Sequence, residues 1–295
     1  MVVSTQKMKH LYIASFLIIL FPISISGQIT GKVTDKSTGI PIPYVNVFLK
    51  NKPIGATSNQ DGSFEIKSVS QADNLIVSAI GYETLEVRIT SNYISIQLTP
   101  KVYELPPVII KPHKSKSQII TGDFKRNKIN NYFACIGYPW IVTKFIDYKQ
   151  EFYTTPFIKQ LKILTSCVSR DSVIFNLRLL TLDQDSVPNI DLLGKNLIIK
   201  AKRGINQFTT IDLNQYSLTF PKTGLIIAVE WLILDQNKTI SRFGVKYYPD
   251  FGSITRDGDR KTWNYNGGKW TKVSLLPPAQ KHKYAELAAE VTLTN

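Results

Sequence analysis

Histidine is nearly missing from this chain. Three occur in 295 residues, and cysteine and methionine are scarcer still at two each. Hydrolytic zinc asks for about three protein ligands, usually His with a carboxylate. His10 falls in an N-terminal stretch expected to be removed, and His113 and His282 belong to neither an HxxE nor an HExxH arrangement. A zinc peptidase is therefore not expected, and no metal or other cofactor is called for. A serine nucleophile wants a His-type base on a Gly-x-Ser-x-Gly turn, and that pentapeptide does not occur. Cys135 or Cys167 would need one of two histidines from loop-like segments brought beside it. Two cysteines also cannot staple a protein of this size. Each lies in apolar text ("NYFACIGYP", "ILTSCVS"), which reads as two separate buried thiols. The alternative, a single bridge, requires their Cβ atoms to approach, which sequence does not show.

Long hydrophobic runs are absent except at the start, "MVVSTQKMKHLYIASFLIILFPISISGQ". Lys7 and Lys9 precede an apolar run from Leu11 to Ile25, shorter than the roughly 20 residues that cross a bilayer. Ser24 and Ser26 fit small-x-small cleavage before Gly27, and a cut after Gly27 would instead expose Gln28, so residues 1–27 bound the expected signal peptide. An uncleaved anchor is the competing reading. No Cys follows the run, which disfavours a lipoprotein. Export places the chain in the periplasm, at the outer membrane or outside, with the membrane met only through the signal peptide. The formal charge of +14, about +12 without Lys7 and Lys9, then suits an anionic surface, and nucleic acid is not an expected partner.

What is abundant is strand-forming sequence: 43% hydrophobic, 11% aromatic, rich in Val, Ile and Thr. From Gln28 to Leu98 about seven short strands follow one another with turn signals between them, the pattern of an all-β sandwich. "YVNVFLK" places Val45, Val47 and Leu49 on one face and Tyr44, Asn46 and Phe48 on the other. In "TSNQDGSFEI", Asp61-Gly62 sits at a strand reversal, where both residues tolerate positive φ. A calcium loop would need more oxygen ligands, ending in a bidentate Glu; only Asn59 and Asp61 are in place, so the turn is the preferred reading.

"GKVTDKSTGIPIPYVNVFLKNKPIGATSNQDGSFEI", followed by "LIVSAIGYETLEVRI", resembles the carboxypeptidase regulatory-like domain. That is a transthyretin-like, Ig-like β-sandwich common in Gram-negative envelope proteins. Gly31, Val33, Asp35, Gly39, Pro41, Pro43, Val45, Val47, Gly55, Thr57, Asp61, Gly62, Phe64, Ile66, Gly81 and Tyr82 carry the match over residues 28–98. The resemblance implies a folding and interaction module with no active site of its own.

Residues 99–120, with four prolines and several lysines, read as a linker. "LPPVII" is similar to the short strand that follows this module in larger outer-membrane receptors. The repeated ten-residue amphipathic strands of a barrel are not found in the remaining text. Residues 121–295 read as a second, jelly-roll-like β-sandwich. "GLIIAVEWLIL" is apolar on both faces, as a doubly covered central strand would be. "ELAAEVTL" has helical propensity at Ala285 to Glu290, yet its continuation by Val291 to Leu293 favours strand.

Two places invite chemistry. Glu230 stands inside the apolar strand, where a carboxylate is costly unless paired. It reads as either a ligand contact beside Trp231 or, preferably, a structural ion pair near Arg178 or Lys200. "TRDGDRKTWNYNGGKW" supplies the candidate ligand-binding residues Trp263, Tyr265, Trp270, Asp257 and Asp259, the aromatics for sugar rings and the acids for a calcium corner. The competing reading is two β-turns, Asp-Gly and Asn266-Gly267, with aromatics filling cross-strand sites. "LDQDSVPNID" raises the calcium idea more weakly. The chain is thus expected to be an exported, non-catalytic envelope protein that binds or assembles with a protein or glycan. Its alternative is a glycan-active hydrolase with paired carboxylates. Exposed, coplanar aromatics favour a glycan; buried ones favour a protein or structural role.

Overall fold

The computed structural model describes residues 27–69, 73–101, 117–122, 124–129, 131–168, 171, 173–241, 244–258, 262–277 and 282–295. The expected signal peptide up to residue 26, residues 102–116 of the expected linker with "LPPVII" and His113, and Asp259 lie outside them. Apart from four 3-10 turns, every regular element among the described residues is a β-strand. The protein is all-β.

Seven strands come first: β1 (Gly27–Asp35), β2 (Asn46–Leu49), β3 (Gly55–Thr57), β4 (Ser63–Val69), β5 (Asn74–Ser78), β6 (Leu85–Arg88) and β7 (Tyr93–Leu98). They form a three-stranded sheet, β4-β1-β7, facing a four-stranded sheet, β3-β2-β5-β6. β1 runs antiparallel to β4 and parallel to β7. Alternate residues of β1 and β7 (Ile29, Val33; Ile94, Ile96, Leu98) meet Val45, Val47, Leu49, Leu75 and Val77 in one core. At the β3–β4 reversal Gly62 has φ +78, and its N–H bonds Asn59 O at 3.0 Å. The Asp61 carboxylate accepts both the N–H and the hydroxyl of Ser63. Asp61 shapes a turn here.

Fifteen strands follow: β8 (Gln118–Thr121), β9 (Asn131–Cys135), β10 (Trp140–Ile146), β11 (Phe157–Cys167), β12 (Ile174–Leu182), β13 (Pro188–Asp191), β14 (Leu197–Lys200), β15 (Gly204–Asp212), β16 (Leu225–Trp231), β17 (Lys238–Ser241), β18 (Gly244–Asp257), β19 (Thr262–Asn266), β20 (Lys269–Val273), β21 (Lys283–Leu287) and β22 (Ala289–Thr294). One sheet runs β13-β12-β16-β10-β19-β20, with β14 also on β12; the other runs β17-β18-β11-β22-β8, with β9, β15 and β21 added to it. The core between them is built on Trp231, whose ring stacks on Trp140 at 4.6 Å and meets Phe251 edge-on. Its Nε1–H donates to Pro249 O at 2.6 Å. "ELAAEVTL" is extended: β21 pairs with β18 and β22 with β11 and β8, so neighbouring strands outweigh local helical propensity. Cys135 and Cys167 are separate buried thiols. Burial pushes the Cys135 thiol up to about 11.

β16 explains its own apolarity. Leu225, Ile227, Val229 and Trp231 enter the sandwich core, while Ile226 and Ala228 belong to a cluster on the opposite face. That second face does not lie bare, because part of it receives the N-terminal sandwich.

Candidate functional site

Pairing registers lay out the outward face of the sheet containing β16. Asn176, Glu230, Ile141, Tyr265 and Trp270 form one row across β12, β16, β10, β19 and β20. Arg178 and Ala228 are paired in the next row, as are Trp263 and Lys272 further along it. Strand alternation fixes these positions: residues two apart share a face.

The N-terminal sandwich presents a matching face. Asn46 pairs with Ser78 and Phe48 with Ile76 across β2 and β5, so all four point away from their own core. Asn46 Nδ2 donates to Glu230 Oε1, and Ser78 Oγ lies 3.3 Å from the Tyr265 hydroxyl. Phe48 meets the Tyr265 ring at 6.3 Å and 64°. Thr57 Oγ1 accepts the Ile233 N–H at 2.9 Å. β2 is therefore buried along its whole length: its two faces serve two different domains.

Glu230 is 3% exposed. Its second oxygen accepts from Asn176 Nδ2 at 2.7 Å, and Asn176 is fixed by Asn196 Oδ1 and the Leu197 N–H. The sequence placed Arg178 or Lys200 as its partner. Arg178 is near enough to feel its charge, but the hydrogen bonds come from two neutral amides, one from each domain, and Lys200 pairs with Ile174 across β14 and β12. Arg178 Nε donates to Asp191 Oδ2 at 3.0 Å, and Leu193 N–H caps Asp191 Oδ1. Burial opposes charge on the guanidinium, but Asp191 and Glu230 outweigh it and hold Arg178 above its usual value. The terminal nitrogens of Arg178 make no hydrogen bond among the described residues.

Between these groups the domain junction leaves a cavity of about 210 Å³, walled by Tyr44, Asn46, Ser78 and Tyr82 on one side and Arg178, Asp191, Asn196, Glu230, Tyr265 and Trp270 on the other. Tyr265 and Trp270 are thus brought together as directly opposed cross-strand residues, 5.0 Å apart at 61°. Trp263 lines a different cavity, with Lys272 Nζ over its ring at 5.2 Å. All three rings are half-buried, and Tyr265 and Trp270 meet edge-to-face, so this pair makes no flat platform. Asp257 stays apart from all of them, exposed at the end of β18 and 3.7 Å from Lys283. Asp183 Oδ1 caps its own loop through the Asp185 and Val187 N–H groups. Among the described residues no three His, Cys, Asp or Glu side chains gather as a metal site would need.

Arg178, Asp191, Asn46, Asn176 and Asn196 escaped sequence reasoning as site residues. The signals were that "YVNVFLK" puts Asn46, and "SVIFNLRLLTL" puts Asn176 and Arg178, opposite an apolar face.

Comparison with known proteins addresses the first sandwich directly. Residues 29–110 match the CarboxypepD_reg-like domain family model. The N-terminal module is a carboxypeptidase regulatory-like domain. Over 84 residues, 28% of this chain, it is 36% identical to the TonB-dependent receptor P39 of Formosa agariphila, and that alignment spans 8% of the receptor's length. Among solved structures, a DUF3823 family protein from Bacteroides ovatus aligns with 77% of this chain and 96% of its own, at TM-score 0.21 and 12% identity. The VP2 subviral particle of infectious bursal disease virus aligns with 92% of this chain and 64% of its own, at TM-score 0.29 and 9% identity. Scores this low carry no inference about this chain. No helix among the described residues is long and apolar enough to cross a membrane.

Proposed function

We propose that the protein is an exported, non-catalytic cell-envelope binding protein whose regulatory-like domain and second sandwich together form a sugar-binding cleft. The observation that carries this reading is the cavity at the domain junction, where Arg178, Asp191, Glu230, Asn46, Asn196 and Trp270 converge. At about 210 Å³ it is smaller than the roughly 300–1,000 Å³ of drug-sized sites, and it matches a single sugar ring. A sugar hydroxyl donates and accepts at once. It can therefore use the terminal nitrogens of Arg178 together with amide and carboxylate oxygens. The coplanar aromatic platform that would mark a glycan surface is not present, so the reading rests on the polar groups of the cleft, with Trp270 as a single aromatic wall for the apolar C–H face of the ring. The Glu230 oxygens are both engaged by amides, which suits a fixed acceptor better than a proton-transferring acid.

Isothermal titration of the mature protein against neutral monosaccharides tests the reading. Binding is expected, and Trp270→Ala should weaken it by about tenfold or more. An unchanged affinity in Trp270→Ala would remove the cleft from consideration. A protein partner is the second reading, supported by the paired Ile240 and Val245 on the β17–β18 hairpin, which are 80% and 40% exposed. In that case Ile240→Lys, and not Trp270→Ala, would abolish capture of the partner.

A further inference from the structure

We infer that the cleft has a second, adjoining subsite and that its ligand is an oligosaccharide whose unit in the junction cavity is uncharged, a step that rests on the sugar-binding reading above. A separate cavity of about 350 Å³ opens on the same outward sheet face, lined by Trp263, Lys272, Phe145, Asp147, Tyr284 and Glu286 among others. Registers relate it to the junction cavity. Tyr265 and Trp270 border the junction cavity, and Trp263 and Lys272, each two residues further along the same strands, border the second. Two residues of strand advance about 7 Å, the scale of one sugar ring to the next.

The two cavities differ in charge. In the junction cavity the Arg178 charge is met by Asp191, and Glu230 leaves a net negative balance. In the second, Glu286 is shared by Arg256 at 2.9 Å and the buried Lys144 at 3.4 Å, and Lys272 and Asp147 also line it. Among the described residues the junction cavity therefore offers no surplus cation for a uronate or sulfated sugar, and the neutral assignment is made there alone. Lys272 over the Trp263 ring is a weak contact when exposed to solvent, so a sugar ring can displace it from that face.

Titration of the full mature protein with ladders of gluco-, manno- and xylo-oligosaccharides, from single sugars to hexamers, decides the matter. Affinity is expected to rise about tenfold or more between the monomer and the trimer of the preferred series. Trp263→Ala should cancel that rise, with Trp263→Phe retaining part of it. Circular dichroism matching wild type certifies the fold of both variants. Affinity independent of chain length, or a rise that persists in Trp263→Ala, overturns the second subsite while single-sugar binding stands. Preference for a polyuronate ladder overturns the neutral assignment. Failure of every ladder, monomers included, overturns both this inference and the reading beneath it.

Discussion

Asp35 shows how much one carboxylate can organise. Its Oδ1 accepts the Ser37 hydroxyl at 2.6 Å, the Ser37 N–H at 2.8 Å and the Thr38 N–H at 2.9 Å, and its Oδ2 accepts the Tyr82 hydroxyl at 3.0 Å. Those donors, the Ser37 hydroxyl foremost, hold its pKa well below the ordinary carboxylate range. Tyr82 in turn is raised, chiefly by desolvation and also by Asp35. A depressed folded pKa means that the native state favours the ionised form. Its stabilising contribution is complete above the unfolded pKa of about 4 and drains away as pH falls below it. Urea midpoints of wild type and Asp35→Asn, measured from neutral to acid pH, should therefore stay a constant distance apart above about pH 5 and converge below about pH 4. A separation that persists unchanged into acid would show that the carboxylate charge is not what holds the loop. The sequence marked Asp35 and Tyr82 as matched positions of the module. It could not show that they touch, because the contact spans 47 residues.

At the scale of elements, local sequence was most readable where the backbone itself dictates residue type. Asp61-Gly62 and Asn266-Gly267 both read as turns, and both sit at strand reversals. In the second, Gly267 and Gly268 have φ +57 and +83, the two positive values that a type I′ hairpin requires. Their surroundings differ. A Cβ on Gly267 would meet nothing within 4 Å, whereas one on Gly268 would come 2.9 Å from Ile76 Cγ2 in the N-terminal domain. Gly267→Asn should thus be close to neutral, since Asn tolerates the left-handed region. Gly268→Ala should cost about 1–2 kcal/mol from backbone strain alone, with displacement of Ile76 added. Thermal melts of the two variants check this, and equal melting temperatures would contradict the packing argument. What local sequence could not supply was the occupant of each outward face. "YVNVFLK" gave the correct alternation, but nothing within it says that Asn46 meets Glu230, 184 residues away. The acidic and aromatic candidates suffered for the same reason: hairpin text placed Tyr265 beside Trp270, while only tertiary docking set Arg178 and Asp191 around them.

The whole molecule depends on that docking. Phe48 is 1% exposed although it points away from its own sandwich, and Asn46 beside it meets the buried carboxylate of Glu230. Hydrogen bonds to charged groups contribute about 1.5–3 kcal/mol, and a buried carboxylate left short of a partner adds its desolvation penalty. Truncating a buried Phe costs about 3–5 kcal/mol. Neither side chain supports the N-terminal core, which is built from Val45, Val47 and Leu49 on the opposite face of β2. The double variant Asn46→Ala/Phe48→Ala should therefore loosen the junction and leave both sandwiches folded. Wild type is expected to unfold in one calorimetric transition, because each domain stabilises the other through the shared face. The variant should show two transitions, the lower belonging to the regulatory-like domain, and the proposed sugar binding should weaken because the cleft loses one wall. A single transition merely displaced to lower temperature would mean that the two sandwiches remain one cooperative unit by other contacts, such as Thr57 with Ile233. The cleft would then be set by more of the interface than these two residues.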